Sequence, residues 1–252
     1  MTIQEFFQQN PDCAVAFSGG VDSAWLLHEA ARYGRRTEAY FVRTPFQPAF
    51  ELADARETAE KLGVELRVLE LDVLTVPEVA ANPANRCYYC KNALFAALIE
   101  AAKADGFPVI LDGSNASDDA DDRPGMRALR ELGVRSPLRE CGIAKAEIRR
   151  MAGEAGIAVW DKPSYACLAT RIPAGTAITP AMLQRVERGE SALMAMGFSD
   201  FRLRLRGEDA LLQVRPEQME QAKAQLEEIN RRLAADFAGI KLDPTPRESR
   251  EV

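Results

Sequence analysis

The chain has 252 residues, 47% of them hydrophobic and 28% charged, and its 38 acidic side chains outnumber 32 basic ones for a net charge of −6. That length suits one sizeable domain plus a smaller one, no apolar run reaches the ~18 residues of a membrane span, and the acidic balance disfavours bulk attraction of a polyanion such as nucleic acid. The first residues, Met1-Thr-Ile-Gln-Glu-Phe-Phe, have neither the basic start nor the apolar core of a secretory signal, so a cytoplasmic protein is expected.

In chain order, Cys13–Phe17 is a short apolar run that ends in Ser-Gly-Gly, and Asp22–Tyr33 follows with helical character. Glu38–Val42 predicts a second strand, Phe50–Leu62 a helix stopped by Gly63, and Glu65–Leu71 a third strand. Lys91–Ala104 predicts a helix with Leu94, Leu98 and Ala101 on one side, and Pro108–Leu111 a strand that enters Asp112-Gly-Ser-Asn115. Strands alternating with helices imply parallel βαβ units, hence an α/β fold with a doubly wound, mostly parallel sheet. In such sheets ligands bind at the carboxyl ends of strands, where both glycine-bearing turns, Ser18–Ser23 and Asp112–Asn115, fall.

The pattern changes after a helix at Ala144–Ala155. Trp160–Thr179 is a long irregular segment with Pro163, Pro173 and Gly175. Beyond it come a helix (Pro180–Met196), two strand-like runs around Gly207-Glu-Asp, a last helix (Pro216–Ala235) and a short strand, Ile240–Leu242. The expected organisation is a nucleotide-binding domain over 1–160, an active-site loop over 161–178, and a small α+β domain over 179–252 for substrate binding and oligomerisation.

Ser18-Gly-Gly-Val-Asp-Ser23 sits between a strand and a helix. Glycines let the backbone bend so that successive amides meet one anion, and the helix N-terminus adds partial positive charge. Ser18 and Ser23 offer hydroxyls, and Asp22 offers oxygen to Mg²⁺. The alternative is a capped strand-to-helix turn, and the absence of Gly-Lys-Ser/Thr rules out the kinase-type P-loop. The loop resembles the signature of the PP-loop ATP pyrophosphatases, which cleave ATP to pyrophosphate and adenylate an acceptor. The resemblance implies ATP and Mg²⁺, with Ser18, Gly19, Gly20, Val21, Asp22 and Ser23 at the phosphates. Gly113 and Asn115 in the second turn are further nucleotide contacts, and Arg43, past the second strand, is a candidate contact for AMP.

Three more stretches narrow the resemblance: Asn85-Arg-Cys-Tyr-Tyr-Cys-Lys91, Asp112-Gly-Ser-Asn-Ala-Ser-Asp-Asp119 with Asp122-Arg-Pro-Gly125, and Pro163-Ser-Tyr-Ala-Cys-Leu-Ala-Thr-Arg-Ile-Pro173. Together with the first loop, over residues 13–205, they resemble the LarE family. Its members are ATP-dependent sulfurtransferases of nickel-pincer nucleotide synthesis that turn a carboxylate of pyridinium-3,5-dicarboxylate mononucleotide into a thiocarboxylate. Adenylation gives the carboxylate a phosphate leaving group, which sulfur then displaces. Cys167 matches the sulfur-donor cysteine of members that sacrifice their own side chain. Cys87 and Cys90 depart from that version and resemble the three-cysteine members, whose thiolates hold a [4Fe–4S] cluster with one iron lacking a protein ligand. The cluster route is preferred to sacrifice of Cys167, although Cys-x-x-Cys alone also fits half a zinc site, a redox pair or packed thiols. The sulfur source is then sulfide or another donor. Cys13 and Cys141 are expected to be structural.

In the C-terminal half, Phe201-Arg-Leu-Arg-Leu-Arg206 alternates, with Arg202, Arg204 and Arg206 opposite a core-facing row. Arg202 and Arg204 are candidates for the substrate's phosphate, against the alternative of a solvated strand face. Glu190 falls on the apolar stripe of its helix, where a carboxylate must be paired, protonated or near a ligand. It matches a substrate-site glutamate of the family. Arg123 and Arg171 are candidates to neutralise phosphate or orient a carboxylate, or else belong to structural ion pairs. The resemblance also implies a homo-oligomer, a hexamer in many members. The competing functions are a PP-loop tRNA thiolase, which the acidic balance opposes, and a non-catalytic ATP-binding sensor.

Overall fold

The computed structural model describes residues 1–118 and 124–247. The described residues divide into two compact units, one within 1–79, 85–118 and 124–162, the other within 80–84 and 163–247.

The first unit is built on a four-stranded parallel sheet of β1 (Asp12–Ala16), β2 (Arg36–Arg43), β3 (Leu66–Glu70) and β4 (Val109–Leu111), in the order β3-β2-β1-β4. Both faces are apolar because alternate residues of one strand enter opposite cores. On β1, Cys13 and Val15 join Phe6, Phe17, Leu26 and Leu27 on one side, whereas Ala14 joins Phe95, Leu98 and Met126 on the other. β2 divides the same way, with Ala39 and Phe41 on the first side and Tyr40 and Val42 on the second. Helices Val21–Tyr33, Ala49–Lys61 and Lys145–Glu154 supply the first core, and Arg86–Ala104 and Pro124–Glu131 the second. The doubly wound parallel fold is therefore the observed one. The strand order reverses between β1 and β4, so the turns after these two strands flank the position where such sheets bind ligands.

Helix Arg86–Ala104 starts five residues earlier than the sequence pattern predicts. Asn85 gives it no side-chain cap, and Cys87, Tyr88 and Tyr89 are weak helix formers, so the sequence carries no start signal there. Cys87 and Cys90 consequently lie on a helix's first turns instead of a loop.

In the second unit, β5 (Arg202–Arg206) runs antiparallel to β6 (Asp209–Gln213), which pairs in parallel with β7 (Ile240–Leu242). Helix Pro180–Ala195, capped by the Thr179 hydroxyl accepting from the Met182 amide at 3.2 Å, buries Leu183, Val186, Gly189 and Leu193. Gly189 is required there: a methyl group would come within 2.5 Å of Leu203 Cδ2 and 2.9 Å of Phe237. The predicted last helix is broken into a 3₁₀ turn (Pro216–Gln218) and two short helices, Met219–Ala224 and Leu226–Arg232. The breaks fall at Gln218 and Gln225, whose ψ values of 0° and 4° lie outside the helical basin. Among the described residues no helix is long and apolar enough to cross a membrane.

Candidate active site

The turn after β1 is shaped by backbone. Gly19 holds φ +76°, and its Cα approaches the helix Ala49–Lys61 so closely that a methyl group would lie 3.3 Å from Ala55 Cβ. Gly20 caps the next helix with no side-chain hydrogen bond, which leaves the first amides of Val21–Tyr33 to an incoming anion. Ser23 Oγ ties the turn together, donating to Gly20 O at 3.0 Å and accepting from the Ser18 amide at 3.3 Å. From β4, Gly113 meets the same helix start: a Cβ there would sit 2.9 Å from the Ser23 amide nitrogen. The two glycine turns therefore touch, as their places beside the switch point require.

They border a cavity of about 350 Å³. Ser18, Gly20, Ser23 and Gly113 make its polar end, while Phe41, Val42, Leu94 and Phe95 make an apolar wall. A phosphate chain suits the first and a purine ring the second. Lys91 also lines the cavity, one residue beyond Cys90 on the same helix.

Asp22 faces Lys145, whose Nζ forms a close ion pair with Oδ2, and Asn115 Nδ2 donates to Oδ1 at 3.4 Å. Burial raises the Asp22 carboxyl above its ordinary range, and the Lys145 charge works against that shift. Asn115 is itself fixed, its side chain accepting from the Ser117 amide at 2.8 Å and its amide donating to Asp118 at 3.0 Å. Lys145 and Lys91 are absent from the sequence-derived site. Lys145 had one legible signal: a lysine in the first turn of a helix opposes the macrodipole and needs a counter-charge. Arg43 points elsewhere, pairing with Glu70 at 3.3 Å on β3 and outside the cavity's lining. Arg123 lies outside the described residues.

Cys87 is exposed and Cys90 half-buried, three positions apart and so on one helix face. Cys13 is fully buried on β1 and its thiol is pushed up to about 11 by burial, and Cys141 is raised by the same cause. No disulfide joins any of the five cysteines.

In the second unit, Cys167 is half-buried and precedes the 3₁₀ turn Leu168–Arg171. Glu190 and Arg171, both completely buried, hold each other through Nε–Oε1 at 2.8 Å and Nη2–Oε2 at 3.0 Å. Of the outcomes open to a carboxylate on that apolar stripe, pairing is the one found. The arginines of β5 form a gradient instead of one uniform face. Arg202 is buried, donating to Phe201 O at 2.7 Å and Ser164 O at 3.0 Å, and burial brings it down to about 10, with Arg171 adding to the effect. Arg204 is half-buried, donates to Gln213 Oε1 at 2.5 Å, and is likewise lowered by burial and then Arg171. Arg206 is exposed. The strand is partly covered from its N-terminal end, which period-two alternation does not report.

A parallel sheet of this order with Ser-Gly-Gly-Val-Asp-Ser after its first strand defines a PP-loop nucleotide-binding domain. An uncharacterized protein of Synechocystis sp. is 37% identical to this chain over 87% of it and 82% of its own length. The pyridinium-3,5-bisthiocarboxylic acid mononucleotide synthase of Lactiplantibacillus plantarum is 30% identical over 91% of this chain and 84% of its own. The tRNA-specific 2-thiouridylase MnmA of Frankia alni is 28% identical over 59% of this chain and 52% of its own. No family profile matches the chain. The chain belongs to the LarE family of ATP-using sulfurtransferases.

Proposed function

We propose that the enzyme adenylates a carboxylate of pyridinium-3,5-dicarboxylate mononucleotide and converts it to a thiocarboxylate during nickel-pincer nucleotide synthesis. The observation that carries this is the anion cradle of Ser18–Ser23 and Gly113 opening into a cavity with an apolar wall, in a chain related to the synthase over nine-tenths of its length. The cradle binds the pyrophosphate end of ATP, so that the bond broken is the one between the α-phosphorus and that end. A substrate carboxylate oxygen attacks the α-phosphorus, pyrophosphate leaves, and an acyl-adenylate forms. Asp22 would hold Mg²⁺ through its oxygens, which in the metal's absence face Lys145 and Asn115. Lys91, which also lines the cavity, contacts the phosphates. A sulfur nucleophile then adds to the acyl carbon, and its C–O bond to AMP breaks.

Cys87, Cys90 and Cys167 hold a [4Fe–4S] cluster in this scheme. Their chemistry fits: they are soft thiolate donors, none lies in a core, and two share one helix face. Among the described residues no three His, Cys, Asp or Glu side chains gather for a metal. A cluster held there would supply sulfide as the nucleophile. Arg204, whose side-chain partner is a neutral amide, receives the substrate's phosphate, and the working form is a homo-oligomer.

Anaerobic incubation of iron- and sulfide-reconstituted protein with the mononucleotide, ATP and Mg²⁺ is expected to give AMP, pyrophosphate and a thiolated nucleotide by mass spectrometry. Cys167→Ser is expected to keep pyrophosphate release and lose the thiolated product. Absence of any thiolated product from the reconstituted wild-type protein overturns the proposal.

A further inference from the structure

The turn Ser164–Thr170 carries Cys167, and side chains hold its carbonyls at Ser164, Ala166 and Cys167. Arg171 Nη1 donates to Ala166 O at 2.8 Å and to Thr170 Oγ1 at 2.7 Å, with Cys167 O at 3.4 Å. The Thr170 hydroxyl donates in turn to Cys167 O at 2.8 Å. The other two guanidinium nitrogens are spent on Glu190. Glu190 is saturated as well. Oε1 accepts from Arg171 Nε and from the Leu203 amide at 3.0 Å, and Oε2 accepts from Arg171 Nη2 and the Tyr165 hydroxyl. Two acceptances at each oxygen fill a carboxylate's capacity. The Tyr165 ring lies under two guanidinium groups, Arg171 at 4.7 Å and Arg202 at 5.7 Å, and Arg202 also holds Ser164 O.

A residue that binds substrate needs an unfilled donor or acceptor aimed at it. Arg171 and Glu190 have theirs turned onto the peptide carbonyls of the cysteine turn, onto β5 and onto each other. A nucleotide phosphate or carboxylate at either group has to break a bond at a fully buried site, which is expensive. Direct contact with substrate is thus disfavoured by the bond inventory, while control of the backbone on both sides of Cys167 is what the bonds provide.

We propose that Arg171, Glu190 and Tyr165 are positioning residues that fix the orientation of Cys167, and thereby decide how much of the activated carboxyl is captured by sulfur before water hydrolyses it. The inference rests on the reading above, in which Cys167 helps hold the group that delivers sulfur. Water and sulfur compete for the same acyl-adenylate carbon, so a displaced sulfur site lowers thiocarboxylate formed per AMP without weakening nucleotide binding. Misplacement by about 1 Å is enough to cost ~100-fold in a positioned reaction.

The test uses full-length Tyr165→Phe, Glu190→Gln and Arg171→Lys. In metal-free protein, the iodoacetamide alkylation rate of Cys167 is read by peptide mass spectrometry at one pH, with Cys87 as internal reference. In reconstituted protein, thiolated product per AMP and the KM for the mononucleotide are read together. Expected results are a Cys167/Cys87 rate ratio altered several-fold, product per AMP lower by about ten-fold, and KM within about two-fold of wild type. A KM raised about ten-fold with product per AMP unchanged overturns the proposal in favour of substrate contact. An unaltered rate ratio together with unaltered product per AMP overturns it in favour of a purely structural pair. Tyr165→Phe removes a single hydroxyl and carries the test where Glu190→Gln or Arg171→Lys fails to fold. Should wild-type protein form no thiolated product, the function proposed above fails, and the alkylation ratio, which needs no turnover, still decides whether the trio sets the thiol.

Discussion

The nucleotide turn of the first unit and the cysteine turn of the second are short loops held in opposite ways. The first is made of backbone: a glycine at positive φ, a helix start with no side-chain cap, and a second glycine pressed against it. The second is made of side chains, with carbonyls of Ser164, Ala166 and Cys167 accepting from two arginines, one of which is held by a glutamate. Even the helix starts differ, since Gly20 leaves its amides uncapped whereas Thr179 caps its own. A backbone cradle takes any phosphate chain but tolerates no added Cβ. A side-chain clamp tolerates small backbone changes but not loss of one charge.

The sharpest way to break this contrast is Gly113→Ala. Its methyl group enters backbone, so pyrophosphate release is expected to fall by about 10²–10³-fold, the scale of losing a preorganised donor, in a coupled phosphate assay. Alkylation of Cys167 should be unchanged. Next comes Glu190→Ala, which strands a buried guanidinium and is expected to cost about 3–5 kcal/mol. Calorimetry should show a melting transition lower by about 6–20 °C. The double replacement Arg171→Met with Glu190→Leu should recover much of that, because an apolar pair of similar volume replaces the charges. Lys91→Ala should weaken ATP binding by about ten-fold, one charge-assisted contact, as measured by isothermal titration. The smallest effect is Thr179→Ala, a lost helix cap of about 1 kcal/mol seen as a shifted denaturant midpoint.

Legibility followed the same division. The four strands, the glycine turns and their placement at strand ends were readable, because alternation and glycine position are local properties. The oddity of Glu190 was readable too, but its partner was not: Arg171 lies nineteen positions upstream on a turn whose path no periodicity encodes. Lys145 meets Asp22 across 123 positions, and only its uncomfortable place at a helix start hinted at a counter-charge. The burial of Arg202 escaped notice because a strand's side-chain alternation assigns a face and says nothing of what covers it. Helix Arg86–Ala104 began early since its first turn is packed through Arg86, buried over the Phe46 ring at 5.8 Å, which outweighs poor propensity.

The five-residue segment 80–84 belongs to the second unit although the first unit surrounds it in the sequence. Asn82 there is 1% exposed at φ 55°, and its amide nitrogen donates to the carbonyls of Pro173 at 2.9 Å and Thr176 at 3.1 Å. The Gly175 amide returns a bond to Asn82 O, and the Ile178 amide one to Ala80 O. A protease cut or gene truncation that isolates residues from 163 onward therefore removes an internal plug together with its bonds to Pro173, Gly175, Thr176 and Ile178. On the ribosome the same plug emerges some ninety residues before the carbonyls it must satisfy, so the later half of the chain finishes its fold around a piece synthesised long before it.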